Sequence, residues 1–335
     1  MGLLIYLICL LLCINIKFTT FAYAGLFCLA FYIYYIIKLI KKKIDKKFFI
    51  KFTTVSFIGV IVGVFVIGLA VYPKNFVTNG NPFYPLFGER KKDIITTNQP
   101  DYFKNKNPIE KYIISMFARS ENVQEYTGEK ATLKVPFTIY KEEIDAIKTT
   151  DTRMGGNGVL FSGIFILSIL IVCLTSHNMF KNNKALFILC SIIIGITIIL
   201  IVFLSESWWA RYFPQTYFIT LIALLYLYLL KNNIAKTSSY IFILLILINN
   251  VITFKAAINH SYELNVNSNM QYVHMLDTTG GNVYIMADIV YPGILYNIQY
   301  DLKGYNYTIL PPQKDINFNE YQYLLSCLGY YKIKE

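Results

Sequence analysis

The chain has 335 residues, of which 55% are hydrophobic and 15% are charged, and its mean hydropathy is +0.46. A chain of this length could hold two soluble domains, but this excess of apolar residues excludes an ordinary soluble protein and indicates an integral membrane protein. The formal net charge is +11. The basic residues mark the connections between apolar stretches, so the charge is an insertion signal and does not indicate a nucleic acid partner.

Seven stretches are apolar enough to be membrane-spanning helices, since a helix needs about 20 mostly apolar residues to cross the hydrocarbon core. They lie at about 2–16, 18–40, 52–72, 158–176, 185–204, 212–230 and 239–254. The first is short, and Lys17 either separates two crossings or kinks one hydrophobic hairpin. A cleaved signal peptide is a competing interpretation of residues 1–24, because Ala22-Tyr-Ala24 is similar to a cleavage site.

The basic residues predict the orientation, because short cytoplasmic connections collect Lys and Arg. Seven lysines surround the single acid Asp45 between the second and third stretches: Lys38, Lys41, Lys42, Lys43, Lys46, Lys47 and Lys51. Two further basic connections hold Lys181 with Lys184, and Lys231 with Lys236. These segments alternate along the chain. We therefore predict a cytoplasmic N-terminus, with the long polar loop, the turn 205–211 and the C-terminal tail on the extracytoplasmic side.

The predicted fold is an all-α polytopic membrane bundle of about seven transmembrane helices, with a long extracytoplasmic loop and a small α/β extracytoplasmic C-terminal unit. Its predicted parts are three transmembrane helices (1–72), the loop region (73–157), four transmembrane helices (158–254) and the C-terminal unit (255–335). Within the C-terminal unit, strands are predicted at 282–288 and 305–310, and helices near 292–300 and 319–329.

Cysteine and histidine usage predicts no resident metal or cofactor. Only Cys327 of the six cysteines would face the outside, so no intrachain extracytoplasmic disulfide is expected. The three histidines lack metal-ligand spacing. A divalent metal is compatible with the sequence, which does not indicate one.

The first outer segment, Asn79–Gly88, contains two prolines around Phe83 and Tyr84. Proline biases the residue before it toward extended backbone, which predicts a rigid aromatic turn at the membrane surface. Tyr84 is a candidate for stacking on a sugar ring. The alternative is an interfacial anchor and folding corner.

The next segment carries Glu89-Arg-Lys-Lys-Asp93 and, after Gln99-Pro100, Asp101. Lys91 and Lys92 are candidates for holding a lipid phosphate near the outer surface. Asp93 and Asp101 are the candidate catalytic residues, because a nearby carboxylate can act as general base toward a hydroxyl group. The alternative is a solvated charged face.

The closing segment, Asp151–Gly158, holds glycines at 155, 156 and 158 and runs directly into an apolar helix. Glycines let backbone amides approach an anion, and helix N-termini favour phosphate. Arg153 adds a guanidinium group suited to phosphate oxygens. The alternative is a glycine-rich loop that packs tightly against neighbouring helices.

The last outer segment, Ser205–Pro214, holds both tryptophans of the chain and Arg211. Arg211 lies at the mouth of the sixth span, where it is a candidate for clamping an anionic lipid headgroup. The alternative is an interfacial tryptophan belt with an arginine that extends to the surface, partnered by Glu206. The spacing of Gly59 and Gly63 in the third span predicts close helix packing.

Asn81-Pro-Phe-Tyr-Pro85 in an outer loop, Ala210-Arg-Tyr-Phe-Pro214 at the mouth of a late helix and the extracytoplasmic C-terminal unit resemble the GT-C superfamily. These are multi-span glycosyltransferases that use polyprenyl-phosphate-linked sugars. The resemblance covers the layout of most of the chain, although its motifs are short. It implies that Arg211 contacts the lipid phosphate and that a glycan or lipid acceptor receives the sugar.

One departure from that superfamily concerns the acidic catalytic residue of its first outer loop. The corresponding connection here, Asn15–Thr19, has no carboxylate. Either the chain lacks the family's N-terminal helices, or the assignment to the superfamily is wrong. If another carboxylate replaces the missing acid, Asp93 and Asp101 are the candidates on the outer face. A polysaccharide polymerase or ligase, and a non-catalytic membrane scaffold or accessory subunit, are the alternative functions.

Overall fold

The computed structural model describes residues 2–84, 88–89, 99–121, 130–147, 152–230, 232–280, 282–286, 306–310, 322–324 and 329–333. Most of the chain is helical. It divides into two compact units, one of Met1–Ala146 with Asp151–Ile252 and one of Ile147–Thr150 with Thr253–Glu335.

The first unit contains nearly all of the described helices. They are α1 (Gly2–Ile16), α2 (Phe18–Ile40), α3 (Lys46–Ile61), α4 (Tyr72–Asn79), α5 (Pro108–Phe117), α6 (Lys141–Ala146), α7 (Phe161–Asn182), α8 (Lys184–Phe203), α9 (Thr216–Leu229) and α10 (Asn233–Thr279), the last of which continues into the second unit. A π-helical turn, Val62–Ile67, extends α3, and a 3₁₀ turn covers Asp101–Phe103.

Five helical stretches among the described residues are long and apolar enough to cross a membrane. They are Thr19–Ile40, Lys46–Ile67, Phe161–Asn182, Lys184–Phe203 and Asn233–Thr278. The apolar helices α1 and α9 are shorter, with 15 and 14 residues. The prediction of a helical membrane protein is confirmed at this level, while the count of seven crossings stays a prediction.

The helices α1 and α2 form a hairpin that reverses at Lys17, whose backbone is extended. The Tyr6 hydroxyl contacts both the Cys28 sulfur and the Ser56 hydroxyl, which ties α1 to α2 and to α3. A Cβ atom on Gly59 or on Gly63 would lie within 3 Å of Leu10 or Ile14, respectively. The predicted close packing at these two glycines is therefore confirmed, and α1 is the helix that fills the space.

The helices α7, α8 and α9 pack together, and one cluster at one end of this group defines its polarity. Tyr226 of α9 packs in a cluster with Met179 near the end of α7, Leu186 near the start of α8, and Leu230. The α7–α8 and α9–α10 connections therefore lie at the same end. This end is called the basic end, because Lys184 and Lys236 lie in the first turns of α8 and α10.

Helix α10 is longer than the predicted span because no proline or glycine interrupts residues 233–279. It ends at Gly280, whose φ of +58° and N–H bond to the Leu276 carbonyl form a left-handed cap that glycine adopts readily. The apolar pattern marks the stretch that suits a membrane, whereas the helix continues through polar residues that lack a stop signal.

The second unit contains a four-stranded sheet in the order β2-β1-β4-β3, with β1 (Val283–Met286), β2 (Tyr307–Leu310), β3 (Gln322–Leu324) and β4 (Gly329–Ile333). The predicted strands near 282–288 and 305–310 are confirmed as β1 and β2, which pair in parallel. The predicted helix at 319–329 is wrong at its centre, because β3 pairs there with β4 in an antiparallel register. Tyrosines at 321, 323, 330 and 331 favour strands. The predicted helix near 292–300 lies outside the described residues.

Candidate functional site

The turn between α8 and α9 builds a buried aromatic platform. The Trp208 and Trp209 rings stack with centroids 5.5 Å apart, and Tyr212 meets Trp209 edge to face at 4.9 Å. Phe103 of the 3₁₀ turn packs edge-on against Trp208 at 5.1 Å. Trp208 and Trp209 are 2% and 4% exposed, so these rings form a protein core rather than a lipid-facing belt.

Lys17 comes to this platform from the other end of the sequence. Its Nζ lies 3.8 Å from the centroid of the Tyr212 ring and donates a hydrogen bond of 3.4 Å to the Arg211 carbonyl. The Tyr23 hydroxyl, in the second turn of α2, donates to the Tyr212 carbonyl at 2.9 Å. The tip of the α1–α2 hairpin is thus held against the α8–α9 turn.

Arg211 completes a group of two cations around one ring. Its guanidinium carbon lies 5.9 Å from the centroid of the Tyr212 ring, and the residue is exposed. Lys17, Arg211 and Tyr212 are called the mouth cluster below. Two positive charges lie near one tyrosine, an arrangement that attracts an anionic group. The Glu206 carboxylate also acts in this region, since its charge reaches Tyr23 and Lys111.

An apolar cavity of about 470 Å³ begins one helical turn from Lys17. Phe21, whose N–H donates to the Lys17 carbonyl, lines it together with Phe65, Tyr72, Phe76 and Phe83. Its lining surface is entirely apolar. Lys17 does not line the cavity itself, but Phe21 connects the two along α2.

The predicted base Asp101 lies at the start of the 3₁₀ turn. Its carboxylate forms an ion pair of 2.5 Å with Lys104, and the side chain is 34% exposed. Because Phe103 of the same turn packs on Trp208, the structure attaches Asp101 to the platform that carries Arg211.

A second carboxylate and a buried lysine also lie in this region. Lys111 of α5 is 6% exposed, and its Nζ donates to the Gln99 side-chain oxygen at 2.9 Å. Burial lowers the pKa of Lys111, and the charge of Glu206 partly opposes that effect. Glu206 accepts a hydrogen bond of 2.6 Å from the Ser205 hydroxyl.

The glycine-rich closing segment packs closely against its surroundings. The Gly155 N–H donates to the Ser115 carbonyl, and the Gly158 N–H donates to the Gly155 carbonyl. A Cβ atom on Gly156 would lie 2.4 Å from the Thr152 carbonyl oxygen, and one on Gly158 would lie 2.5 Å from the Asn249 side chain. These contacts fit the alternative interpretation, tight packing. Arg153, within this segment, is half-buried, and its role toward phosphate stays a prediction.

A buried ion pair joins Lys134 to Glu143 of α6, in the part of the chain that precedes the closing segment. Lys134 Nζ donates both to Glu143 and to the Val159 carbonyl, and the two charged side chains are 1% and 0% exposed. Glu143 also accepts the Ser120 N–H at 2.8 Å. Burial lowers the pKa of Lys134, while its hydrogen bond to Glu143 raises it.

The remaining predicted site residues divide into two groups. Tyr84 is half-buried, and its carbonyl accepts the Asn75 side-chain N–H at 3.1 Å, so its role toward a sugar stays a prediction. Asp93, Lys91 and Lys92 lie outside the described residues.

Sequence reasoning missed Lys17 and Lys111 as site residues. Lys17 is a single cation between two apolar stretches. That pattern is equally typical of a simple connection between two helices. Lys111 follows an ordinary amphipathic pattern in α5. Both become recognisable only from contacts with residues distant along the chain.

Among the residues that the structure describes, no group of three His, Cys, Asp or Glu side chains is placed to hold a metal ion. No family model, curated protein or solved structure matches the chain. The functional conclusion therefore depends on the geometry of the mouth cluster and its surroundings.

Proposed function

We propose that the protein is a multi-pass membrane enzyme that transfers a sugar from a polyprenyl-phosphate carrier to an acceptor on the extracytoplasmic face. The observation that supports this proposal best is the convergence of Lys17 and Arg211 on Tyr212, from positions 194 residues apart in the chain. In this proposal the chain crosses the membrane seven times, with the mouth cluster at the outer surface.

The mouth cluster holds the phosphate of the carrier. Arg211 offers a planar guanidinium group that suits two phosphate oxygens, and Lys17 adds a second positive charge. Arg153 contributes to the same anion. These charges also stabilise the phosphate as it leaves, when its negative charge increases.

The apolar cavity beside Phe21 receives the first isoprenoid units of the carrier. Its aromatic and aliphatic walls provide no hydrogen bond to a polar ligand, which suits a hydrocarbon chain. The cavity volume of about 470 Å³ accommodates a short portion of such a chain.

In the transfer step the acceptor hydroxyl oxygen attacks the anomeric carbon. The bond from that carbon to the phosphate oxygen breaks, and the lipid phosphate leaves with the electron pair. Asp101 takes the hydroxyl proton as general base, with Asp93 as the alternative carboxylate. Direct displacement inverts the configuration at the anomeric carbon.

Binding of undecaprenyl phosphate to the purified full chain in detergent tests the phosphate role. We expect Lys17→Gln and Arg211→Ala each to weaken binding about ten-fold, because a hydrogen bond to a charged group contributes about 1.5–3 kcal/mol. Lys141→Gln, an exposed lysine on α6, is the control for loss of one charge. If Arg211→Ala and Lys141→Gln weaken binding of undecaprenyl phosphate equally, the mouth cluster is not the phosphate site.

Asp101→Asn tests the transfer step separately from binding. We expect it to retain carrier binding and to lower turnover with a lipid-linked sugar about 100-fold or more, the range typical of a lost general base. Lys104→Gln, which removes the ion-pair partner, is its control. Carrier binding without any turnover in the wild-type protein would instead support an accessory subunit that presents the lipid, a function consistent with Lys17 standing where the resembled family has an acid.

A further inference from the structure

A second cavity, of about 520 Å³, lies between α9 and α10 next to the connection that joins them. Its volume is within the range of about 300–1,000 Å³ typical of ligand sites. It lies at the basic end, whereas the mouth cluster lies beside the α8–α9 turn at the opposite end of α9. No step of the proposed sugar transfer uses it.

One wall of this cavity is an apolar stripe on α9. Leu221, Leu224 and Leu225 line it with the spacing of three and four residues that places side chains on one helix face. Leu221 is 54% exposed, so the stripe is open to its surroundings. In a membrane-spanning helix those surroundings are hydrocarbon.

The other side of the cavity, near the connection, is polar and basic. Asn233, Lys236 and Ser239 line it from the first turns of α10. The Ser239 hydroxyl is buried and donates to the Lys236 carbonyl at 2.7 Å, which orders the backbone of this turn. Lys236 itself is exposed.

Two tyrosines lie at the junction between these walls. Tyr228 and Tyr240 line the cavity and are 74% and 61% exposed. Tyrosine is favoured where hydrocarbon meets water, because its ring is apolar and its hydroxyl is polar. Two exposed tyrosines, one from each helix, therefore suit a cavity at the boundary between lipid headgroups and hydrocarbon.

We propose that this cavity binds an anionic phospholipid, with the phosphate at Lys236 and Asn233 and an acyl chain along Leu221, Leu224 and Leu225. Charge complementarity selects this occupant. A second helix packed here would place apolar side chains over the lysine at high cost, whereas a phosphate pairs with its charge. The polar and apolar walls match the two parts of one phospholipid molecule.

Native mass spectrometry of the purified, delipidated full chain tests this site. Dioleoyl phosphatidylglycerol and dioleoyl phosphatidylcholine are titrated separately, and bound lipid is counted for each protein. We expect the wild type to prefer phosphatidylglycerol, and Lys236→Gln to bind it about five-fold more weakly, the factor that corresponds to about 1 kcal/mol per lysine at an anionic headgroup.

Two further variants make the test specific. Lys184→Gln removes a lysine at the same end that does not line the cavity, so it should keep the wild-type preference. Leu221→Trp fills the cavity from an exposed position and should reduce binding of both lipids, while thermal unfolding confirms that the protein is folded.

Equal affinities in the Lys236→Gln and Lys184→Gln proteins would overturn the proposal, and so would unchanged lipid binding by a folded Leu221→Trp protein. A dimer that Leu221→Trp dissociates, with no change in bound lipid, would show that a second copy occupies this face instead. None of these results depends on undecaprenyl phosphate binding at the mouth cluster, so the two proposals fail separately.

Discussion

The buried ion pair of Lys134 and Glu143 orders its loop, but burying the two charges also costs free energy of folding. Both charges are fully buried, and removing charges from water costs several kcal/mol for each ion. The pair gains two further bonds, from Ser120 N–H to Glu143 and from Lys134 to the Val159 carbonyl. The second carboxylate oxygen of Glu143 is buried and has no hydrogen-bond partner among the described residues. Such a pair specifies one loop conformation more clearly than it adds stability.

This argument predicts unequal effects for single and double substitutions. Glu143→Gln keeps an acceptor for Lys134 but leaves a buried positive charge without a counter-charge, so we expect a loss of about 3–5 kcal/mol in the free energy of unfolding. Lys134→Met together with Glu143→Gln should recover part of that loss. Thermal or denaturant unfolding in detergent measures both. A double variant less stable than the single variant would show that charge burial is not the cause.

Lys111 predicts a dependence of stability on pH. Burial lowers its folded-state pKa from the ordinary value of 10.5, so at alkaline pH below 10.5 the unfolded chain binds more protons than the folded protein. Stability contributed by this residue therefore rises as pH increases through that window. We expect the wild type to gain stability relative to Lys111→Met as the pH is raised toward 10.5, the ordinary pKa of a lysine. The stability difference between the wild type and Lys104→Met, which replaces an exposed lysine, should not grow with pH in this way.

At the level of elements, the closing segment is locked to α10 by one asparagine. Asn249 is buried, accepts the Leu160 N–H at 2.8 Å and donates to the Asn157 carbonyl at 3.0 Å. The Tyr217 hydroxyl of α9 donates to the same carbonyl at 3.0 Å. These bonds satisfy backbone groups just before α7. The Asn249 side chain also lies so close to Gly158 that no side chain fits at that position.

The lock predicts opposite outcomes for two glycine-to-alanine changes. Gly158 has a φ of +107°, and a Cβ there would lie 2.5 Å from Asn249, so Gly158→Ala should lower the free energy of unfolding by at least about 2 kcal/mol. Gly195 lies inside α8 with no atom within 4 Å of a Cβ. Gly195→Ala should raise stability by about 0.5–1 kcal/mol. Similar unfolding midpoints for the two variants would contradict this account of the segment.

The sequence indicated which stretches are helices but not how far each extends. The apolar pattern located α2 and α8 to within one residue at each end, whereas α7 ends at Asn182, six residues beyond the predicted 158–176. It placed the last span at 239–254, whereas α10 covers Asn233–Thr279, because hydropathy reports the solvent around a helix and not its hydrogen bonding. Strand β3 was missed because it pairs with β4, and β4 in turn pairs with β1 from a distant part of the sequence.

The candidate site could be predicted in part, for a similar reason. Arg211 and Asp101 are recognisable as charged residues within polar segments between apolar stretches. Lys17 was not recognised as a site residue, because that role depends on its contact with Tyr212. No local sequence pattern encodes a contact between residues so far apart in the chain. The buried state of Trp208 and Trp209 was also hidden, because the same residues suit a lipid interface.

At the scale of the whole molecule, charge and architecture agree. The α7–α8 and α9–α10 connections, both basic, share one end of their helices. Helix α2 begins beside Tyr212 and has 23 residues, a length of about 34 Å at 1.5 Å per residue. Lys38 at its far end therefore lies on the side away from the mouth cluster. This separation is the arrangement that the positive-inside rule requires.

The separation predicts the accessibility of each end in sealed vesicles. In a variant with all six cysteines replaced, a new cysteine at Asn183 or at Ser205 reports the basic end or the mouth end, since both positions are exposed. We expect a membrane-impermeant maleimide to label Ser205→Cys in right-side-out vesicles and Asn183→Cys in inverted ones, because short basic connections are retained in the cytoplasm. The reverse pattern would place the mouth cluster in the cytoplasm. Sugar transfer to an outer acceptor would then be excluded, whereas the lipid cavity at Lys236 would simply face the other leaflet.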